Sequence, residues 1–198
     1  MNGIDAALLF ALLAPMPAAP PPVDAALASA ARYCEAVVTE KKTAPPLPAG
    51  VTVHSDSGIP DLIKRFAATQ PMIRMFGVDS YAHFHARNGQ VWVVRSQQAV
   101  ACDIVVTAVP GGSAALGDSF TRSLPGQGWK TLSSSPATAA MPFWRHTLVK
   151  WVPKANSPNF GLSLKILGLL PPSSTEDDNQ LELSFIGGDN FQAGASPR

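Results

Sequence analysis

The sequence predicts an α+β protein: an antiparallel, meander-like sheet of about six to seven strands, with two N-terminal helices and one inserted helix packed mainly on one face. Three observations carry this. Apolar residues recur at helical spacing up to about residue 70 and at a period of two from residue 80 onward. An Asn88-Gly89 pair between alternating flanks is a strong local hairpin signal. The later apolar runs are joined by short connections, which favour antiparallel neighbours with helices laid over the sheet.

Residues 1–19 come first, with a nine-residue apolar run at 6–14 followed by small residues and prolines. That run has the length of a signal-peptide core and is far too short to span a bilayer. Asp5 replaces the usual basic residue and proline crowds the cleavage region. The segment therefore reads as a signal peptide or, failing that, a disordered leader on a cytoplasmic chain. A single α+β domain is expected over 23–188, and residues 189–198 read as a flexible tail.

Residues 23–42 read as a helix, with Asp24 as N-cap and Leu27, Ala30, Cys34 and Val37 on one apolar stripe. The proline-rich 44–48 forces an extended connector. Residues 59–70 read as a second helix with Pro60 in its first turn and Leu62, Ile63, Phe66 and Ala67 inward. Residues 71–77 are open between helix and strand. The hairpin follows, and a two-residue turn would pair Arg87 with Gln90, Ala86 with Val91 and His85 with Trp92. Gln97-Gln98 turns the chain into a strand whose Val100, Cys102, Ile104 and Val106 face one way. Asp103 and Val105 face the other. A helix after 110–113 carries Leu116, Phe120 and Leu124 at i, i+4, i+8, and 125–128 stops it. Four strands are expected at 129–134, 143–152, 160–170 and 180–187. Leu162, Leu164 and Ile166 share one face, as do Leu181, Leu183 and Phe185. No internal repeat is readable.

Fifteen basic against fourteen acidic residues leave a net charge of +1 with no basic run. Counterion displacement needs a clustered cationic footprint, so nucleic acid is not an expected partner. No other stretch reaches the ~18 apolar residues of a membrane span, so no integral membrane segment is expected.

The chain holds two cysteines. Cys34 lies on the apolar stripe of the first helix and Cys102 on the apolar face of a strand. In an exported protein such a pair is expected to form a disulfide that staples helix to sheet. Neither has the electropositive, exposed setting of a catalytic thiol.

Three further patterns could hold chemistry. His83 and His85 stand at i and i+2 on one strand face, a spacing able to chelate one transition metal, or simply to pack beside Trp92. Gly111, Gly112 and Ser113 form a glycine turn into a helix, able to take an anion on free N–H groups. Ser113 nearly matches a nucleophile elbow, but the residues that would serve it as base and acid, His146 and Asp118, are poorly placed; a helix cap is the simpler role. Trp144 and Trp151 fall on opposite strand faces, so one is a candidate for exposure. The acidic loop at 175–178 lacks calcium-loop spacing.

None of these completes a catalytic constellation, and no cofactor is implied. The sequence favours a small exported protein, periplasmic or secreted, that is not an enzyme and binds a small ligand or another envelope protein. A metal-dependent or hydrolytic enzyme centred on the histidine pair or the glycine turn is the alternative.

Overall fold

The computed structural model describes residues 19–40, 45–55, 57–109, 112–136, 143–169 and 180–189. The leader, the acidic loop at 175–178 and the tail beyond 189 lie outside these residues, as do Pro110 and Gly111.

The elements run α1 (Val23–Glu40), β1 (Val51–His54), α2 (Asp61–Thr69), α3 (Pro71–Phe76), β2 (Val78–His85), β3 (Gln90–Ser96), β4 (Ala101–Thr107), α4 (Ser113–Ser123), β5 (Lys130–Ser135), β6 (Phe143–Trp151), β7 (Gly161–Leu169) and β8 (Leu181–Gly188). The class is the expected one. All eight strands form one antiparallel sheet in the order β1-β2-β3-β4-β8-β7-β6-β5.

That order reads the same from both edges. One long helix and a four-stranded meander occur twice, α1 with β1–β4 and α4 with β5–β8, and the halves join where β4 pairs with β8. The repeat is one of architecture; no repeated residue pattern accompanies it.

Two cores result, one on each side of the sheet. On one side α1 and α4 cover both halves, burying Leu27, Val37, Ile104, Leu164, Ile166 and Phe185 among others. On the other, α2 and α3 cover only the first half, burying Ile63, Phe66 and Ile73 against Tyr81, Trp92, Val94 and Val105. The expectation of helices mainly on one face is corrected here. The α2–α3 segment leaves β1 and returns into β2, and its apolar residues meet the opposite side of the sheet from α1.

Other corrections are local. Among the described residues the strand count is eight, because β1, four residues long and half exposed, carries little apolar signal. Residues 71–76 are a separate short helix, entered through Pro71 at its first turn. Val23 is already helical, so Asp24 sits inside the first turn, and its Oδ1 accepts from the N–H of Ala25 at 2.9 Å. The hairpin register is His85 with Gln90, Phe84 with Val91 and His83 with Trp92, two residues from the expected one. Its connection spans 86–89 because it closes onto the N-terminal segment. The N–H of Arg87 donates to the Pro21 carbonyl at 2.9 Å, and Gly89, at φ +115°, lies against Val23 and the carbonyls of Thr107 and Ala108. A shift of two preserves which face each residue occupies, so the assignment of faces survives.

The second half closes around Trp144, which is buried. Its indole lies against Gly117 of α4 and Gly168 of β7. A Cβ at either position would stand 2.1 or 2.2 Å from the ring, so both positions are glycine for space alone. Trp151, on the opposite face of the same strand, is 52% exposed, as the alternation requires.

Candidate functional site

Of the residues singled out in sequence, Cys34 and Cys102 are joined in a disulfide, with Cα atoms 5.2 Å apart and 68 residues between them in sequence. Both are fully buried, and the bond ties α1 to β4. No helix among the described residues is long and apolar enough to cross a membrane.

His83 and His85 have ring centroids 4.2 Å apart. The ring of His83 stacks on Trp92 at 4.4 Å with the planes 6° apart. His54 of β1 packs on the same indole at 5.3 Å, a neighbour that the sequence did not place. Nε2 of His85 is 2.8 Å from the Thr52 hydroxyl, and Nδ1 of His54 is 3.2 Å from the Ser57 carbonyl. Burial, with His85 and His54 nearby, lowers the pKa of His83 to about 4, so the ring is neutral at physiological pH. Among the described residues no group of three or more His, Cys, Asp or Glu side chains is arranged to hold a metal ion.

At the start of α4 the N-cap residue is Gly112, at φ +93°, with no side-chain cap hydrogen bond. Ser113 is the first helical residue and is buried at 1% exposure.

The feature that sequence reasoning missed is Asp103. It lies mid-way along β4, a strand buried at every position. Cys102 and Ile104 face α1, so Asp103 faces the other side, at the boundary where the α2–α3 cover ends. Its exposure is 1%, and neither carboxylate oxygen has a hydrogen-bond partner. Burial pushes its pKa up to about 7. The hydroxyl of Ser184, its register partner on β8, opposes the rise without reaching hydrogen-bonding geometry, and the charge of Glu182 adds to it. A carboxyl without a donor is costly to bury, so its retention in a central strand calls for a role beyond packing.

Asp103 lines a cleft of about 370 Å³ between the α2–α3 junction and the uncovered face of the second half. Phe66, Gln70, Pro71 and Met72 form its wall. The strand register builds its floor: Asp103, Ser184 and Lys165 form one row across β4, β8 and β7. Val105, Glu182, Leu167 and Arg145 form the next, reaching β6. Burial also raises the pKa of Glu182. Lys165 and Arg145 are exposed, and among the described residues none of these four charged side chains is in an ion pair. The cleft is therefore acidic at its inner end and basic at its rim, with apolar surface between.

A second cavity, about 510 Å³, lies between Pro20, Pro21, α1 and the β1–β2 edge. It contains no buried polar group left without a partner among the described residues. The sequence signal for the first cleft was an acid among the valines of 101–107; its roof, 30 to 40 residues upstream, was not visible. The chain matches no protein-family model, and no curated protein and no solved structure is significantly similar to it.

Proposed function

We propose that this chain is a small exported, non-enzymatic binding protein whose ligand occupies the cleft between the α2–α3 junction and the floor formed by β4, β8, β7 and β6. The observation that carries the reading is Asp103, a buried carboxyl with no hydrogen-bond partner of its own, lining a cavity of ligand size. Export is supported by the Cys34–Cys102 bond and the apolar run at 6–14, since disulfides persist in oxidising compartments. The burial of Ser113 speaks against its use as a nucleophile.

Two measurements test this. Native mass spectrometry of protein exported from a bacterial host should show a small non-covalent adduct that a Ser184→Trp variant, with its cleft filled, has lost. An empty wild-type protein, or an adduct retained by the variant, would sink the cleft. Intact mass with and without reductant should show a shortened chain whose thiols resist alkylation until reduced. A full-length chain with two free thiols would remove export.

The imidazoles favour a second, lesser reading. His83 and His85 are adjacent, and a neutral ring is a ready metal donor. Metal analysis of the purified protein, repeated on His83→Ala, decides it: stoichiometric zinc or copper lost in the variant supports a metal site, and an empty wild type discards it.

A further inference from the structure

We infer that the ligand of this cleft is a dipolar amine: an ammonium group held at Asp103, a short apolar body, and an anionic group held at Lys165 and Arg145. The inference rests on the cleft reading and adds the chemical class.

The inner end carries two carboxyls, Asp103 and Glu182, and no cation. A simple anion or a fatty acid entering head-first would meet like charge there. An ammonium group supplies the donors that both Asp103 oxygens lack. A bare metal ion is a poor alternative, because no three donors among the described residues are grouped for one.

The middle of the cleft is apolar, with Phe66, Met72, Leu167 and Ile186 facing the space. A hydrated ion would gain nothing from those side chains, whereas a chain of methylenes or a small apolar side chain would. At the rim, Lys165 and Arg145 stand exposed and, among the described residues, in no ion pair. Two cations placed so can receive a carboxylate or phosphate, the arginine with two parallel hydrogen bonds.

The strand register sets the separation of the two ends. Lys165 is two strands from Asp103 and in the same row, about 10 Å at the usual strand spacing. An α-amino acid, whose two charges sit on adjacent carbons, is too short to engage both. A linear ω-amino acid or a short apolar peptide has the right reach.

The charge state of the cleft makes the class testable by pH. The titratable and charged groups facing Asp103 are Glu182 on β8, Lys165 on β7 and Arg145 on β6. The α2–α3 side contributes Phe66, Gln70, Pro71 and Met72, none of which titrates. With its carboxyl near 7, Asp103 must shed a proton to accept an ammonium group as a carboxylate. Amine affinity should then fall about tenfold between pH 8 and pH 6.

The probes are 6-aminohexanoate, hexylamine, hexanoate and glycine, followed by calorimetry and by the methyl signals of Leu167 and Ile186. Binding of 6-aminohexanoate is expected to shift those methyls, to weaken about tenfold at pH 6, and to be lost in Asp103→Asn. Hexylamine should bind more weakly, and hexanoate and glycine not at all. The rim variant Lys165→Met, at an exposed position, should weaken 6-aminohexanoate severalfold and leave hexylamine unchanged.

Hexanoate binding as well as 6-aminohexanoate, or Asp103→Asn binding like the wild type, would overturn the amine class. So would a failure of both amines to move the cleft methyls. In any of these cases an adduct lost in Ser184→Trp would show that the cleft reading stands without it.

Discussion

The two halves of this sheet share an order of elements and differ in their cover. In the first, β2–β4 are sandwiched between α1 and the α2–α3 pair, with β1 at the half-exposed edge. In the second, α1 and α4 cover β6, β7 and β8 on one face, and the edge strand β5 is exposed along nearly its whole length. The difference traces to what lies between the first and second strand of each meander. The first half inserts two helices there, and the second passes from β5 to β6 within a few residues. Polar side chains follow the cover. The uncovered face alternates Arg145, Thr147, Lys165, Glu182 and Ser184, whereas the covered face carries Tyr81, Trp92, Val94 and Val105. The cleft sits at the seam, where a roof built for one half overhangs the other.

Four experiments break or sharpen this contrast. The largest effect is expected from the covered half, where the disulfide constrains a loop of 68 residues. Replacing Cys34 and Cys102 by alanine should cost about 4 kcal/mol in the chain-entropy picture. That corresponds to roughly 10 °C in Tm. A loss below about 1 kcal/mol would mean that helix packing alone holds α1 on the sheet.

Asp103→Asn tests the seam. Its carboxyl is more protonated in the folded than in the unfolded protein between about pH 4 and pH 7, so folded stability falls as pH rises across that window. The variant should be more stable than wild type by about 2 kcal/mol at pH 8, allowing for the cost of the buried amide, and should lose this advantage near pH 4. A pH-independent difference in denaturant titrations would contradict an ionisation at this site.

Gly168→Ala probes the uncovered half. The added methyl collides with the Trp144 ring, and a loss of about 2 kcal/mol with a shift in tryptophan emission is expected. Equal stability and unchanged emission would mean that the indole has room to move.

The smallest effect belongs to His83, which is partly exposed, and its sign is opposite to that of Asp103. A pKa lowered to about 4 means stability present above pH 6.5 and lost as pH falls toward 4. His83→Phe, which keeps a ring for Trp92 to stack on, should flatten that acid limb. An unaltered pH profile from 4 to 7 would rule out the contribution.

Most of the fold was legible because the elements differ in period. The central and later strands alternate over seven to nine residues and were found within one or two positions of their ends. The long helices carry continuous apolar stripes. What escaped had little burial to write itself into the sequence: β1 is short and half exposed. The face chosen by α2 and α3 escaped for another reason. Leu62, Ile63 and Phe66 show that the helix is amphipathic but not which side of a sheet it meets. The repeat of helix and meander stayed hidden because the halves share topology without shared residues.

The disulfide was legible from composition and two apolar patterns. The cleft was not, because Asp103 and Phe66 come to line one space only through tertiary packing. Asp103 itself was conspicuous, an acid among valines on a strand with no exposed position. Strand alternation assigns it a face but not a function. Charge at a buried central position is the signal that would have found it.

The junction of the halves has a consequence for how the chain is made. Strand β4 meets β8 through Asp103 and Ser184, about 80 residues later in the chain. As the polypeptide emerges from its N-terminus, Cys34, Cys102 and everything they lock arrive well before that closing strand. The N-terminal half can thus be oxidised while one flank of its most apolar strand still lacks a neighbour. Such an unpaired edge is a template for aggregation. A chain built this way depends on rapid delivery of its last fifty residues, and a stalled or truncated molecule would leave the edge of β4 open to other chains.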